Sequence, residues 1–158
     1  METPPNEDHA DVRILPPLLF LGSILLGVLL QLVIVVGFTT QTTWRVPFGL
    51  ALVALGVAAI AWVIVEMRRT HQDPDPRKPT PELIVGGPFR LARNPIYTGM
   101  ALIQLGIGIA LANVWIVLLL APTLWILRRE VIEKEEAYLE RKFGDAYRTY
   151  KSSVRRWL

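Results

Sequence analysis

Apolar and polar residues along this chain fall into blocks. One apolar run extends from Ile14 to Phe38 and a second from Val46 to Val65. A third, longer run extends from Ile96 to Leu127. The hydrocarbon core of a bilayer is ~30 Å thick and takes ~20 helical residues to cross. Each of the first two runs meets that length. The third is too long for one upright span and a little short for two. Leu111-Ala112-Asn113 lies near its middle and reads as a tight turn at Asn113, giving a helical hairpin. A single long tilted helix is the competing arrangement. Pro16-Pro17 suit the first turn of a helix, where the missing N–H costs little.

Charge placement separates the two arrangements. Of 17 Lys and Arg, six lie between Arg68 and Arg93 and nine from Arg128 onward, leaving only Arg13 and Arg45. Positive residues stay cytoplasmic. Both basic segments then share one side, which requires an even number of crossings between them and favours the hairpin. The expectation is an all-α integral membrane protein with about four transmembrane helices, both termini cytoplasmic, set in a prokaryotic inner membrane. It is read as one membrane domain over 1–158, with two N-terminal spans in 14–66. The composition agrees: 52% of residues are hydrophobic and the mean hydropathy is +0.37, apolar for a soluble domain. The net charge of +3 is accounted for by topology and anionic headgroups, and gives no case for a nucleic-acid partner. With no cysteine, thiolate nucleophiles, thiolate metal sites and disulfides are excluded. His9 and His71 are isolated, so no metal site is expected. The segment Met1 to Asp11 is acidic, unlike the start of a signal peptide.

The chemistry concentrates in two polar segments. Asp73 to Pro81 is Pro-rich and reads as a stiff linker. Gly86-Gly87-Pro88 is a turn, and Pro95 opens the next helix. This places Arg90, Arg93, Asn94 and Tyr97 together at the membrane surface. Projected at 100° per residue, Arg128 to Phe143 forms an amphipathic helix. Val131, Glu135, Leu139 and Phe143 are each four apart, so Glu135 lies inside the apolar stripe. A carboxylate there needs a cation or a donor. Either it pairs with Arg90, Arg93 or Lys142, or it meets a ligand. Glu136 reads as a solvated charge at the border. Phe143-Gly144-Asp145 stops one helix and starts the next. Asp145 to Trp157 then reads as an amphipathic cytosolic helix on the leaflet. Gln31 and Gln104 suggest interhelical hydrogen bonds, and Glu66 a pair with Arg69 or Arg68.

Four pieces recur in one order: Gly87-Pro88-Phe89, Arg93-Asn94-Pro95-Ile96-Tyr97, Glu135-Glu136-Ala137-Tyr138-Leu139 and Phe143-Gly144-Asp145-Ala146-Tyr147-Arg148-Thr149-Tyr150. Separated by a hairpin, they resemble the isoprenylcysteine carboxyl methyltransferase and phospholipid methyltransferase family. The likeness makes 81–150 a cofactor-binding core. It implies methyl transfer from S-adenosylmethionine, without the Gly-x-Gly-x-x-Gly fingerprint of soluble dinucleotide folds. The implied acceptor is lipid-like, at the cytoplasmic face: the carboxylate of a prenylated or other lipidic molecule, or a phospholipid amine. By the same resemblance Leu83, Ile84 and Phe89 line the cofactor pocket. Asn94, Pro95, Ile96 and Tyr97 contact the cofactor, Glu135 holds one of its polar groups, and Arg93 and Glu135 are catalytic. Two positions depart from the family pattern. Asn94 stands where the family has His. Val131 stands where enzymes acting on prenylcysteine carry an Arg for the substrate carboxylate, so Arg128 or Arg129 is expected to bind substrate instead. Other readings are a non-catalytic membrane protein that keeps the fold and an NADPH-dependent sterol-type reductase.

Overall fold

A computed structural model of the chain describes residues 9–36 and 42–157. The described residues form six α-helices and no strand. Helix α1 is Pro16–Val33, with the two prolines in its first turn as expected. The last residues of the predicted first span lie outside the described ones. Helix α2 is Thr42–Arg69, with Arg68 and Arg69 in its last turn, where the negative end of the helix dipole favours cations. These two helices are long and apolar enough to cross a membrane. Helices α3, Pro95–Ala110, and α4, Val114–Leu127, are joined by Leu111-Ala112-Asn113. Asn113 fixes that turn twice. Its Oδ1 accepts from the Ile116 amide at 3.1 Å, capping α4, and its Nδ2 donates to the Gly27 carbonyl of α1 at 3.2 Å.

Helix α4 runs on through a π-helical turn, Arg128–Ile132, into α5, Glu133–Phe143. Gly144 breaks the chain at φ 53° and ψ −124°, a conformation natural only to glycine. Helix α6, Asp145–Ser153, follows directly.

The helices pack as α2 on α3 and α1 on α4, with α3 and α4 in contact. The α2–α3 contact is a backbone contact. A Cβ on Gly106 would sit 2.5 Å from the Gly49 carbonyl oxygen, and one on Gly56 would sit 2.6 Å from that of Gly99. Gly49 and Gly56 are seven apart on α2, as are Gly99 and Gly106 on α3. The antiparallel helices therefore meet at glycine twice, two turns apart. Small residues with this spacing let helices approach closely where lipid gives no hydrophobic drive for association.

Polar side chains tie the other pair. Gln104, fully buried, donates to Ser23 Oγ at 2.9 Å and to the Ile116 carbonyl at 3.1 Å, and Thr123 donates to Ser23 Oγ at 2.8 Å. The interhelical bond expected of Gln104 is present. For Gln31 it is not seen: its side-chain oxygen is buried without a partner among the described residues. The outer faces carry exposed Leu18, Leu25, Leu50, Trp62, Leu118 and Trp125.

Adding one methyl at Gly106 drives it into the α2 backbone, which overpacking makes costly by about 1–3 kcal/mol. A Cβ on Gly22 would meet nothing within 4 Å. Gly106→Ala is expected to lower the melting temperature of the detergent-solubilised protein. Gly22→Ala is expected to leave it unchanged or raise it, since Ala is the better helix former by about 1 kcal/mol.

Candidate functional site

The end of α2, the loop from Gln72 to Asn94, the start of α3, and helices α5 and α6 enclose an open cleft of about 890 Å³ of empty volume. It lies on the basic side of the molecule. Leu83, Ile84, Phe89 and Ile96 give it apolar walls, with Val63 and Met67 of α2 packed behind Ile84. Arg93, Asn94, Pro95, Tyr97 and Glu135 also line it. The structure thus brings the resemblance-implied cofactor residues to one cleft. Arg128 and Arg129 are not among its walls; both are exposed and pair with Glu133 at 3.0 and 3.5 Å. Val131 is fully buried in a core cluster with Ala10, Val12, Phe20 and Tyr138.

Each wall follows from local sequence. Pro88 opens a single 3-10 turn, Gly87–Arg90. Gly87, at φ 53°, lies against the Glu66 side chain, where a Cβ would come within 3.0 Å of the carboxyl carbon. Glu66 also pairs with Arg69 at 3.4 Å, as expected. The Pro-rich segment is not the extended linker its composition suggests. Asp73 accepts from the Asp75 amide at 2.9 Å and Asp75 from the Arg77 amide at 3.0 Å, the turn geometry that Asp side chains favour. The Arg77 guanidinium holds the Asp75 carboxyl down at about 2. Tyr138 of α5 accepts from the Thr80 amide at 3.1 Å and so ties this loop to the cleft.

The two neighbouring carboxylates have different fates. Glu135 is partly buried on the cleft wall, and Tyr97 Oη donates to its Oε1 at 2.7 Å. Among the described residues no cation pairs with it, so the pairing with Arg90, Arg93 or Lys142 is not seen. Burial raises its pKa to about 7; the Tyr97 hydroxyl opposes the shift and the Glu136 charge adds to it. Glu136 corrects the expectation of a solvated charge. It is 6% exposed. Arg156 Nε and Nη2 grip its two oxygens at 2.9 and 2.7 Å, and Arg93 Nη1 stands 3.3 Å away. Bidentate guanidinium–carboxylate geometry of this kind is the strong form of the ion pair.

Helix α6 also departs from expectation. Tyr147 and Tyr150 are buried against the protein and line the cleft. Tyr150 donates to the Phe89 carbonyl at 2.7 Å, and burial pushes both phenols up to about 12. Their spacing of three puts them on one helix face. That spacing is visible in the sequence, although it does not reveal the role. Arg156 is harder still to find, because nothing local marks it among the basic residues near it.

A raised carboxyl pKa means that the folded state holds a proton the unfolded chain releases. The stability contributed by protonated Glu135 is complete below about pH 4.5 and is lost as pH rises through about 7. Unfolding of the parent, measured against pH beside Glu135→Gln, is expected to show the parent losing stability across that window relative to the variant. Tyr97→Phe removes the hydroxyl that favours the charged form and is expected to move the window upward.

The phospholipid methyltransferase family pattern matches residues 44–146. The chain is similar to protein-S-isoprenylcysteine O-methyltransferase B of Arabidopsis thaliana, 29% identical over 116 residues, covering 72% of this chain and 59% of the relative. It is also similar to the protein-S-isoprenylcysteine O-methyltransferases of Rattus norvegicus and Schizosaccharomyces pombe. The first is 28% identical over 116 residues, covering 72% of this chain and 41% of the relative. The second is 36% identical over 72 residues, covering 46% and 30%. The chain therefore spans between about a third and three fifths of the length of these curated relatives. No solved structure matches it significantly. With its pattern matched from the start of α2 to the start of α6, including most of the cleft, the chain belongs to the phospholipid methyltransferase family.

Proposed function

We propose that this protein transfers a methyl group from S-adenosylmethionine to a lipophilic acceptor at the cytoplasmic membrane face. The observation that carries the reading is Glu135: a partly buried carboxylate on the cleft wall, beside the apolar Leu83, Ile84, Phe89 and Ile96, oriented by Tyr97 and lacking a cation among the described residues. A buried carboxylate of this kind is completed by a cationic ligand. The cofactor, which carries an ammonium group, fits that description. Glu135 would hold the ammonium of the cofactor. Leu83, Ile84, Phe89 and Ile96 would cover its apolar surface, with Asn94 and Pro95 closing the membrane side.

When bound, the cofactor supplies a methyl group on a positively charged sulfur that leaves as a neutral thioether. No protein nucleophile is then required, and the side chains serve to orient the reactants and exclude water. A carboxylate acceptor becomes an ester with no proton to remove. An amine acceptor must lose one proton, and Glu135, with its pKa near 7, is suited to take it, provided a second group then holds the cofactor. The burial of Val131 and the pairing of Arg128 and Arg129 with Glu133 leave no evident cation for a prenylcysteine carboxylate. This favours a phospholipid amine. Among the described residues, Arg93 is the one Lys or Arg that lines the cleft, and Glu136 already engages it at 3.3 Å.

The reading includes four crossings, with α3 and α4 as the third and fourth and both termini cytoplasmic. Support comes from the turn at Asn113. It also comes from the clustering of Ala10 and Val12, which precede α1, with Val131 and Ile132, which follow α4. Both features support a start of α1 and an end of α4 on the same side of the membrane.

Calorimetry of S-adenosylmethionine with the detergent-purified chain tests the proposal. Binding is expected, and Glu135→Gln is expected to weaken it roughly ten- to hundredfold, as for the loss of a charged hydrogen bond. A folded parent protein that binds no S-adenosylmethionine would overturn the reading.

A further inference from the structure

Past Ser153 the chain leaves α6 in an extended conformation and folds back beneath the cleft. The Arg93 amide donates to the Arg155 carbonyl at 2.9 Å, and Asn94 Nδ2 donates to the Arg156 carbonyl at 3.2 Å. The Arg156 guanidinium takes both oxygens of Glu136. Trp157 packs on the cluster that contains Tyr97, Val131, Ile132 and Tyr138. Three consecutive residues thus bind the 93–94 loop, α5 and the core together. All three lie beyond the residues matched to the family.

Glu136 links this tail to the site. Without Arg156, its buried carboxylate keeps only Arg93, whose Nη1 is at 3.3 Å and is not aligned for a hydrogen bond. A buried charge stripped of its main partner is strongly unfavourable. The least costly remedy is for Arg93 to swing onto Glu136, away from its present place on the cleft wall. The Asn94 side chain holds the Arg156 backbone carbonyl, which a change of side chain leaves in place.

We infer that Arg156 is a positioning residue for the cleft: by occupying both oxygens of Glu136 it fixes Arg93 on the wall and leaves Glu135 as the carboxylate that meets the ligand. This inference rests on the cleft being the methyl-donor site.

The test is calorimetric binding of S-adenosylmethionine to the full chain at several pH values, with melting measured alongside. Arg156→Gln is expected to weaken binding by about tenfold or more, and Arg156→Lys, which keeps the charge but not the bidentate grip, by less. Arg155→Gln, which leaves the backbone carbonyl in place on an exposed residue, is expected to bind as the parent does. A second readout separates positioning from mere stability. Tyr97 of α3 and Glu136 of α5 act directly on Glu135, Asp75 of the loop acts on Tyr97, and Arg93 and Arg156 act through Glu136. With Arg156 neutralised, the Glu136 charge is less screened, and the pH midpoint for binding is expected to rise. Should Arg156→Gln not fold, Arg156→Lys carries the test: weaker binding at an unchanged melting temperature supports the inference, and unchanged binding overturns it. Parent-like affinity and midpoint in a folded Arg156→Gln overturn it while leaving the proposed function standing. Absence of binding by the parent overturns both.

Discussion

The close approach of α2 and α3 sets the position of nearly everything else. Two helices that touch through glycine backbones at Gly49–Gly106 and Gly56–Gly99 have little freedom to slide. Their register is antiparallel and fixed at two points. Carried two turns further, it sets Val63 and Met67 against Ile84 and Phe89, with Ile96 beside them. The apolar wall of the cleft is thus an extension of a contact made deep in the helical bundle. Dispersion and close packing supply the energy, since lipid-exposed helices gain little from water exclusion.

On that frame, two adjacent carboxylates divide the work by direction alone. Successive residues on a helix point about 100° apart. Both line the cleft, but Glu135 meets the Tyr97 hydroxyl and Glu136 meets two guanidinium groups. Burial raises the pKa of the first to about 7; the second is buried as a bidentate ion pair. The same residue type is poised in one place and committed in the next.

Local pattern made much of this legible. The apolar runs located the helices, the charge bias favoured a turn at Asn113, and the four-residue spacing with Val131 singled out Glu135 before any contact was known. Gly144 marked its helix break through the one conformation it alone adopts easily. What stayed hidden depended on distant partners. Glu136 looked solvated because its stabilising cation, Arg156, is twenty residues away and sits among other basic residues. Tyr147 and Tyr150 looked like a membrane-facing stripe because an amphipathic face does not say whether lipid or protein covers it. The Pro-rich segment looked extended because its Asp side chains compete for the backbone only once the loop closes.

The π-helical turn at Arg128–Ile132 carries a consequence for how this helix tolerates change. Such a turn accommodates one residue more than the regular spiral, so everything after it is rotated relative to a continuous α-helix. Deleting a single residue there would let the helix relax to its regular winding. Because the bulge absorbs that residue, α5 would keep nearly its present face toward the cleft, whereas straightening the helix at its present length would turn α5 by about 100° and present a different set of side chains. The bulge works as a phase setting between α4 and the part of the helix that carries Glu135 and Glu136. The same sequence wound without the bulge would set a different carboxylate against Tyr97.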